Sequence, residues 1–307
     1  MEEIFEIKSC TGAELHCRKW FNPLLSEYKA VIQLVHGMEE HIGRYADFAE
    51  FLADEGYIVF GHDHLGHGNT AKIKRDFGYF SDKNGWEILC KDIHIYQNAI
   101  SSLYPDIPYI LFGHSMGSLL VRTYVTKYSD KLDGLIISGT SGQRFGLSIA
   151  KLQTKIIEAF RGKRYRSKYI KSLVTGSFNR KFKPNLTEAD WISSDEENVQ
   201  KYLADPLCSS TFTVSAYYEL ISGTQYLSRQ KNINKTPNIP ILIFSGDKDP
   251  VGANGKGVNR VYRMLKKAGV EDVTLKLFHN GRHEMLNEVN KDEVYDLIKR
   301  WLWAKLG

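Results

Sequence analysis

Cysteine is scarce in this chain of 307 residues: Cys10, Cys17, Cys90 and Cys208 are all there is, and no two form a CxxC pair. That scarcity excludes a disulfide framework and a zinc ribbon and points to a reducing, cytoplasmic setting. A bridge between Cys10 and Cys17, which can face each other across one hairpin, stays open. No run of 18 apolar residues occurs, so no membrane span is expected. The start, Met1-Glu2-Glu3-Ile4-Phe5, is acidic and lacks the basic residues and apolar stretch of a secretory signal. Internal repeats and low-complexity tracts are missing too. What is present is ordinary for a globular enzyme-sized chain: 42% hydrophobic, 12% aromatic and 25% charged residues, enough to build a large core and too little charge for disorder.

The net charge of +5 is unevenly spread. Residues 144–183 hold twelve Lys or Arg and a single acid, Glu158, a net +11 that leaves −6 for the remainder. A basic block is set into a mildly acidic body.

Residues 4–9 and 15–20 alternate around Thr11-Gly12 and read as an opening hairpin. The short apolar run at 31–35 has a buried-strand signature, and 57–60, 109–112, 135–137, 241–244 and 273–278 read as further strands. Helical stripes separate them: Tyr45, Phe48, Phe51 and Leu52; then Leu89, Ile93, Tyr96, Ile100 and Leu103; then 116–128, 255–268 and 290–304. This alternation predicts an α/β fold with a mostly parallel eight-stranded sheet and helices on both faces. It stops over 144–232, which is helical and irregular. The expected organisation is therefore a core of 1–143 and 233–307 with 144–232 inserted as a helical lid.

Gly113-His114-Ser115-Met116-Gly117 follows an apolar strand and opens a helix. This is the setting a GxSxG nucleophile elbow needs: glycines allow close strand–helix approach, and the helix N-terminus favours a developing anion. Ser115 is the predicted nucleophile. Its oxyanion donors are predicted as the backbone N–H groups of Met116 and of Met38, in His36-Gly37-Met38 directly after the strand at 31–35. The order Ser, acid, His places the acid in Ser245-Gly246-Asp247-Lys248-Asp249-Pro250 and the base in His279-Asn280-Gly281-Arg282-His283-Glu284. Asp249 is preferred over Asp247, which suits turn hydrogen bonds, and His283 over His279, which stands at the strand end. In these roles His283 takes the serine proton and Asp249 orients the imidazole.

At this point several segments resemble one family. His36-Gly37-Met38-Glu39-Glu40-His41-Ile42-Gly43-Arg44-Tyr45 resembles the oxyanion segment HGxxEHxxRY of monoacylglycerol lipases, and His62-Asp63-His64-Leu65-Gly66-His67-Gly68 their HDHxGHG loop. The GHSMG elbow, Asp249 in the GxxD position and Arg282-His283-Glu284 extend the likeness from 36 to 284. The resemblance, to monoacylglycerol lipase and lysophospholipase-like hydrolases of the serine aminopeptidase S33 type, implies the α/β-hydrolase fold and metal-free, cofactor-free hydrolysis of long-chain monoacyl esters. The loop His62, Asp63, His64 and His67 lacks the HxHxDH spacing of a dinuclear metal site and reads as a hydrogen-bonded border of the active site.

Within 147–160, Leu147, Ile149, Leu152, Ile156, Ile157 and Phe160 favour one side, away from Lys151 and Lys155. Such a basic amphipathic helix either lies on an anionic membrane surface or covers an acyl tunnel. Peripheral membrane contact is one expectation; nucleic-acid binding lacks any motif. The competing functions are another acyl hydrolase (short-chain esterase, thioesterase or proline-type aminopeptidase) and a non-catalytic ligand binder. A complete Ser, Asp and His set argues against the last.

Overall fold

Eight strands form one sheet in the order β1-β2-β4-β3-β5-β6-β7-β8. The computed structural model describes residues 1–128, 131–142, 146–208 and 210–307, and the expected core–insert boundary at 143/144 lies outside these described residues. The strands are β1 Glu2–Lys8, β2 Glu14–Trp20, β3 Val31–Val35, β4 Ile58–His62, β5 Tyr109–His114, β6 Gly134–Ser138, β7 Ile241–Gly246 and β8 Val273–Phe278. β1 and β2 form the expected antiparallel hairpin, β2 also pairs antiparallel with β4, and all pairings from β4 through β8 are parallel.

The central strands are buried along their whole length because helices cover both faces. Side chains alternate between two cores. Ile110 and Phe112 of β5 point to the layer with Phe48 and Trp301, whereas Tyr109 and Leu111 point to the layer with Leu89, Ile93 and Leu120. Each such apolar side chain contributes about 2 kcal/mol of burial. The first layer holds α1 Ala46–Asp54 and α10 Lys291–Leu306; the second holds α2 Gly85–Leu103, α3 Met116–Tyr124 and α9 Lys256–Lys267. The predicted stripe of α2 is buried except at its last member, Leu103, the final residue of the helix, which is exposed. All four cysteines are free, Cys17 facing the core and Cys10 solvent.

Between β6 and β7 the described residues carry helices and no strand: α4 Leu147–Arg161, α5 Lys168–Thr175, α6 Glu196–Ala204, α7 Val214–Leu227 and α8 Gln230–Ile233. Polar caps fix where several begin: Asp195 accepts from the N–H groups of Glu197 and Asn198 at α6, and Thr213 from that of Ala216 at α7. The apolar stripe expected on α4 divides in two. Ala150 and Thr154 are buried and Leu147 and Ile157 half-buried, while Ile149, Leu152, Ile156 and Phe160 face solvent, Phe160 at 83% exposure. The small side chains are the ones turned inward where α4 seats on α7. No helix among the described residues is long and apolar enough to cross a membrane.

Candidate active site

Ser115 sits between β5 and α3 with φ 53° and ψ −118°. That conformation is strained for a residue with a side chain and lifts the hydroxyl out of the turn. It is held by the Ser115 N–H donating to the Ser138 carbonyl at 3.0 Å. The flanking glycines are obligatory. A Cβ on Gly117 would lie 2.0 Å from the Val35 carbonyl oxygen, and one on Gly113 would lie 2.5 Å from that of Gly117.

The loops after β7 and β8 bring the other two predicted residues to this turn. His283 Nε2 lies 2.8 Å from Ser115 Oγ, and its Nδ1 lies 3.1 Å from Asp249 Oδ2. Asp249 is wholly buried and fixed on both oxygens: Oδ2 also accepts from Ser245 Oγ at 2.8 Å, and Oδ1 from the Val251 N–H at 2.8 Å. Burial alone would depress the His283 pKa, but the Asp249 charge and hydrogen bond, helped by Glu284 and Glu40, outweigh it and raise it above 6.5. Asp247 makes the expected turn bonds, accepting from the Asn280 N–H at 2.9 Å and meeting His279 at 3.1 Å on the surface. His114 of the elbow lies 4.7 Å, ring to ring, from His283 and bonds Ser138 Oγ through Nδ1 at 3.1 Å. Burial, and then the charge of His283, push its pKa down to about 3.

Gly37, ahead of Met38, is pinned at both ends of its backbone. Its N–H donates to Glu40 Oε1 at 2.5 Å, and its carbonyl is met by His36 Nδ1 at 2.8 Å. His36 Nε2 accepts from the His64 N–H at 3.0 Å, so the His36 proton is assigned to Nδ1. Thus the histidine-rich loop steadies the segment that carries Met38. His62, His64 and His67 are buried, and both ring nitrogens of His62 and His64 find no hydrogen-bond partner among the described residues. Among the described residues the one group of three metal-capable side chains with converging ligand atoms is His41, Asp205 and Cys208. It is a hydrogen-bonded joint: His41 Nδ1 accepts from the Gly43 N–H, so Nε2 carries the proton and donates to Asp205 at 2.8 Å.

Sequence reading missed a buried charge network beside His283. Arg44 grips both Glu284 oxygens, at 2.6 and 2.7 Å, reaches Glu40 at 3.2 Å, and also meets Asn198 of α6. Burial favours the neutral carboxyl of Glu284, but Arg44 and its hydrogen bonds hold that pKa well below the usual range. Tyr45 donates to Glu40 at 2.9 Å. The i,i+4 spacing of Glu40 and Arg44 is visible in the sequence, whereas the link to Glu284, next to His283, spans 240 residues and leaves no local sign. Trp191 was also missed: its ring lies 5.1 Å from that of His283.

Two chambers meet at Ser115 and share Met38, Thr175 and Trp191. One, about 430 Å³, is bordered by Glu39, Lys168, Lys171, Asn179 and Glu188. The other, about 70 Å³, is apolar, lined by Met116, Leu119, Leu147, Val174, Phe178 and Leu220. The Ser115 hydroxyl thus stands between a larger chamber rimmed by polar and charged groups, the polar chamber, and a small apolar one.

A serine on a strained strand–helix turn, met by His and Asp from the loops of two later parallel strands, defines an α/β-hydrolase. The serine aminopeptidase, S33 family matches residues 26–290, and the chain belongs to that family. It is 27% identical over 285 residues to the monoacylglycerol lipase of Mycolicibacterium smegmatis, covering 91% of this chain and 89% of that one. Human monoglyceride lipase is 24% identical over 315 residues, 98% of this chain and 90% of the relative. A thermostable carboxyl esterase from Bacillus coagulans, solved in complex with glycerol, superposes with a TM-score of 0.93 at 29% identity over 100% of this chain and 99% of that one. The chain is a carboxylic ester hydrolase.

Proposed function

We propose that this enzyme cleaves long-chain monoacyl esters, monoacylglycerol or lysophospholipid, through an acyl-enzyme on Ser115. The hydrogen-bonded run from Ser115 Oγ through His283 to Asp249 is the observation that carries the reading. Ser115 Oγ attacks the acyl carbon as its proton passes to His283 Nε2. The oxyanion is received by the N–H groups of Met38 and Met116, and Asp249 stabilises the imidazolium. His283 then protonates the departing alcohol, and water, activated by the same imidazole, releases the fatty acid and frees Ser115. The apolar chamber suits the acyl chain and the polar chamber the alcohol. Since 70 Å³ holds only a few methylenes, residues 144–232 act as a lid that moves to admit a long chain.

The test is a substrate panel of monooleoylglycerol, oleoyl lysophosphatidylcholine, p-nitrophenyl acetate and prolyl-p-nitroanilide, with fluorophosphonate labelling of Ser115. Oleoyl esters are expected to give the highest kcat/KM. A preference for the anilide would make the enzyme an aminopeptidase, and an unlabelled Ser115 would end the catalytic reading.

The exposed face of α4 extends the proposal to where the enzyme works. Ile149, Leu152, Ile156 and Phe160 project outward in a helical row beside Lys151, Lys155 and Arg161. We read it as a face for peripheral contact with an anionic lipid surface in the cytoplasm. Co-sedimentation with phosphatidylglycerol vesicles should exceed that with phosphatidylcholine vesicles at low salt and fall as salt screens the charge. Equal partition onto both would remove the electrostatic part.

A further inference from the structure

The segment after β3 contains a backbone outlier next to the Met38 donor. Glu39 has φ 60°, in the left-handed region, where a side chain is strained and glycine is not. Its carboxyl group is nine-tenths buried, with no hydrogen-bond partner for Oε1 among the described residues. Oε2 faces Lys171 Nζ of α5 at 3.4 Å. Burial pushes the Glu39 pKa up, and Lys171 together with the Phe212 backbone opposes that rise. Both opposing groups belong to residues 144–232.

Glu39 is one of three such links. His41 bonds Asp205 at 2.8 Å, and Arg44 bonds Asn198 at 3.2 Å. The side chains of 39 and 41 therefore end on the insert and that of 44 reaches it from its grip on Glu284, while Gly37 and Glu40 of the same segment bond to each other at 2.5 Å. The helix that holds Glu39 also walls the polar chamber through Lys171, Ser172 and Thr175. Movement of α5 would strip a buried carboxylate of its counter-charge and remove the contact that opposes the strained dihedral one residue after Met38.

We propose that Glu39 is a positioning residue: its ion pair with Lys171 couples the seat of α5 to the aim of the Met38 N–H, so that the oxyanion hole is complete only while the insert is docked. This rests on the ester-hydrolase reading and on Met38 as a donor. It assigns the insert a part in transition-state stabilisation besides covering the acyl chain.

A double-mutant cycle tests it with Glu39→Gln, Lys171→Met and the pair, and with Lys171→Arg as the conservative control, in the full-length enzyme. The substrate is p-nitrophenyl butyrate, and affinity for a trifluoromethyl ketone, which forms an oxyanion on Ser115, is measured in parallel. Each single change should lower kcat about tenfold with KM moved less than twofold, and the double should be no worse than the poorer single. Ketone affinity should fall in step with kcat/KM, and Lys171→Arg should restore most of both. Glu39→Gly supplies a second route: it removes the strain along with the charge and should leave kcat insensitive to Lys171→Met. Additive single effects, an unchanged kcat in Lys171→Met, or ketone affinity that stays constant while kcat falls would overturn the coupling. A wild-type enzyme that neither cleaves esters nor labels at Ser115 would instead defeat the catalytic reading beneath it.

Discussion

A Ser115→Ala enzyme is expected to retain no more than about one part in 10⁴ of the wild-type kcat/KM on p-nitrophenyl butyrate. The size of the loss follows from how the site is built. The hydroxyl lies 2.8 Å from an imidazole whose far nitrogen is engaged by a wholly buried carboxylate, so removing it idles the entire relay. For the same reason His283→Ala should cost a similar factor, and the Ser115→Ala/His283→Ala double should be little worse than either single. Ser115 is one hydroxyl on a turn whose neighbours bear the packing, so the alanine enzyme should unfold at the wild-type temperature within a few degrees. Rates measured on protein freed of contaminating esterase provide the check. A variant within tenfold of wild type would mean that another nucleophile does the work.

The second large effect is acid-induced unfolding. His36, His62, His64, His67 and His114 are all buried, and burial is the main cause that keeps each in its neutral form. His62 and His67 fall to about 4 and His114 to about 3, against 6.5 for an exposed imidazole. Above pH 6.5 both the folded and unfolded chains hold these rings neutral, and stability does not depend on them. As pH falls below 6.5 the unfolded chain gains protons that the folded one refuses. Stability therefore drops down to the folded pKa of each ring, by about 2 kcal/mol each for His62 and His67 near pH 5. His283 works in the opposite sense, since its raised pKa favours the folded state at low pH, but it is one ring against five. The expected outcome is a thermal midpoint that is flat from pH 8 to 7 and falls steeply between 6.5 and 5. Activity should decline earlier, on an acid limb set by His283 above 6.5, and be recovered on returning to neutral pH. A midpoint unchanged down to pH 5 would mean that the orphaned ring nitrogens are solvated and carry no such penalty.

The sequence disclosed the sheet because parallel strands covered on both faces are short, nearly continuous apolar runs, as in Val31–Val35, interrupted only by Gln33, and at 241–244 of β7. It disclosed the loci of the site because this fold sets its polar side chains at the C-terminal ends of such strands, so Ser115, Asp249 and His283 followed from strand order. Preferring Asp249 over Asp247 rested on one step further into the loop, and the coordinates put Asp247 on the surface, engaged with His279. The rest was illegible for reasons of distance. Nothing near Arg44 announces Glu284, and nothing near Trp191 announces the imidazole it lies against. The orientation of α4 was hidden differently. Its apolar residues fit a solvent-facing or a core-facing stripe equally well, and only the burial of Ala150 and Thr154 where the helix packs on α7 decides which.

Strand order also has a consequence for synthesis. β6 is completed by residue 138, yet the neighbour that shields its outer edge, β7, begins only at residue 241. For about a hundred residues of translation, a ribosome-bound chain displays an open, apolar ladder of unsatisfied amides and carbonyls, the kind of edge that invites association between nascent copies. Ser115 and its helix are in place long before His283 is made, so on the proposed mechanism a chain released early would be both inert and prone to clump.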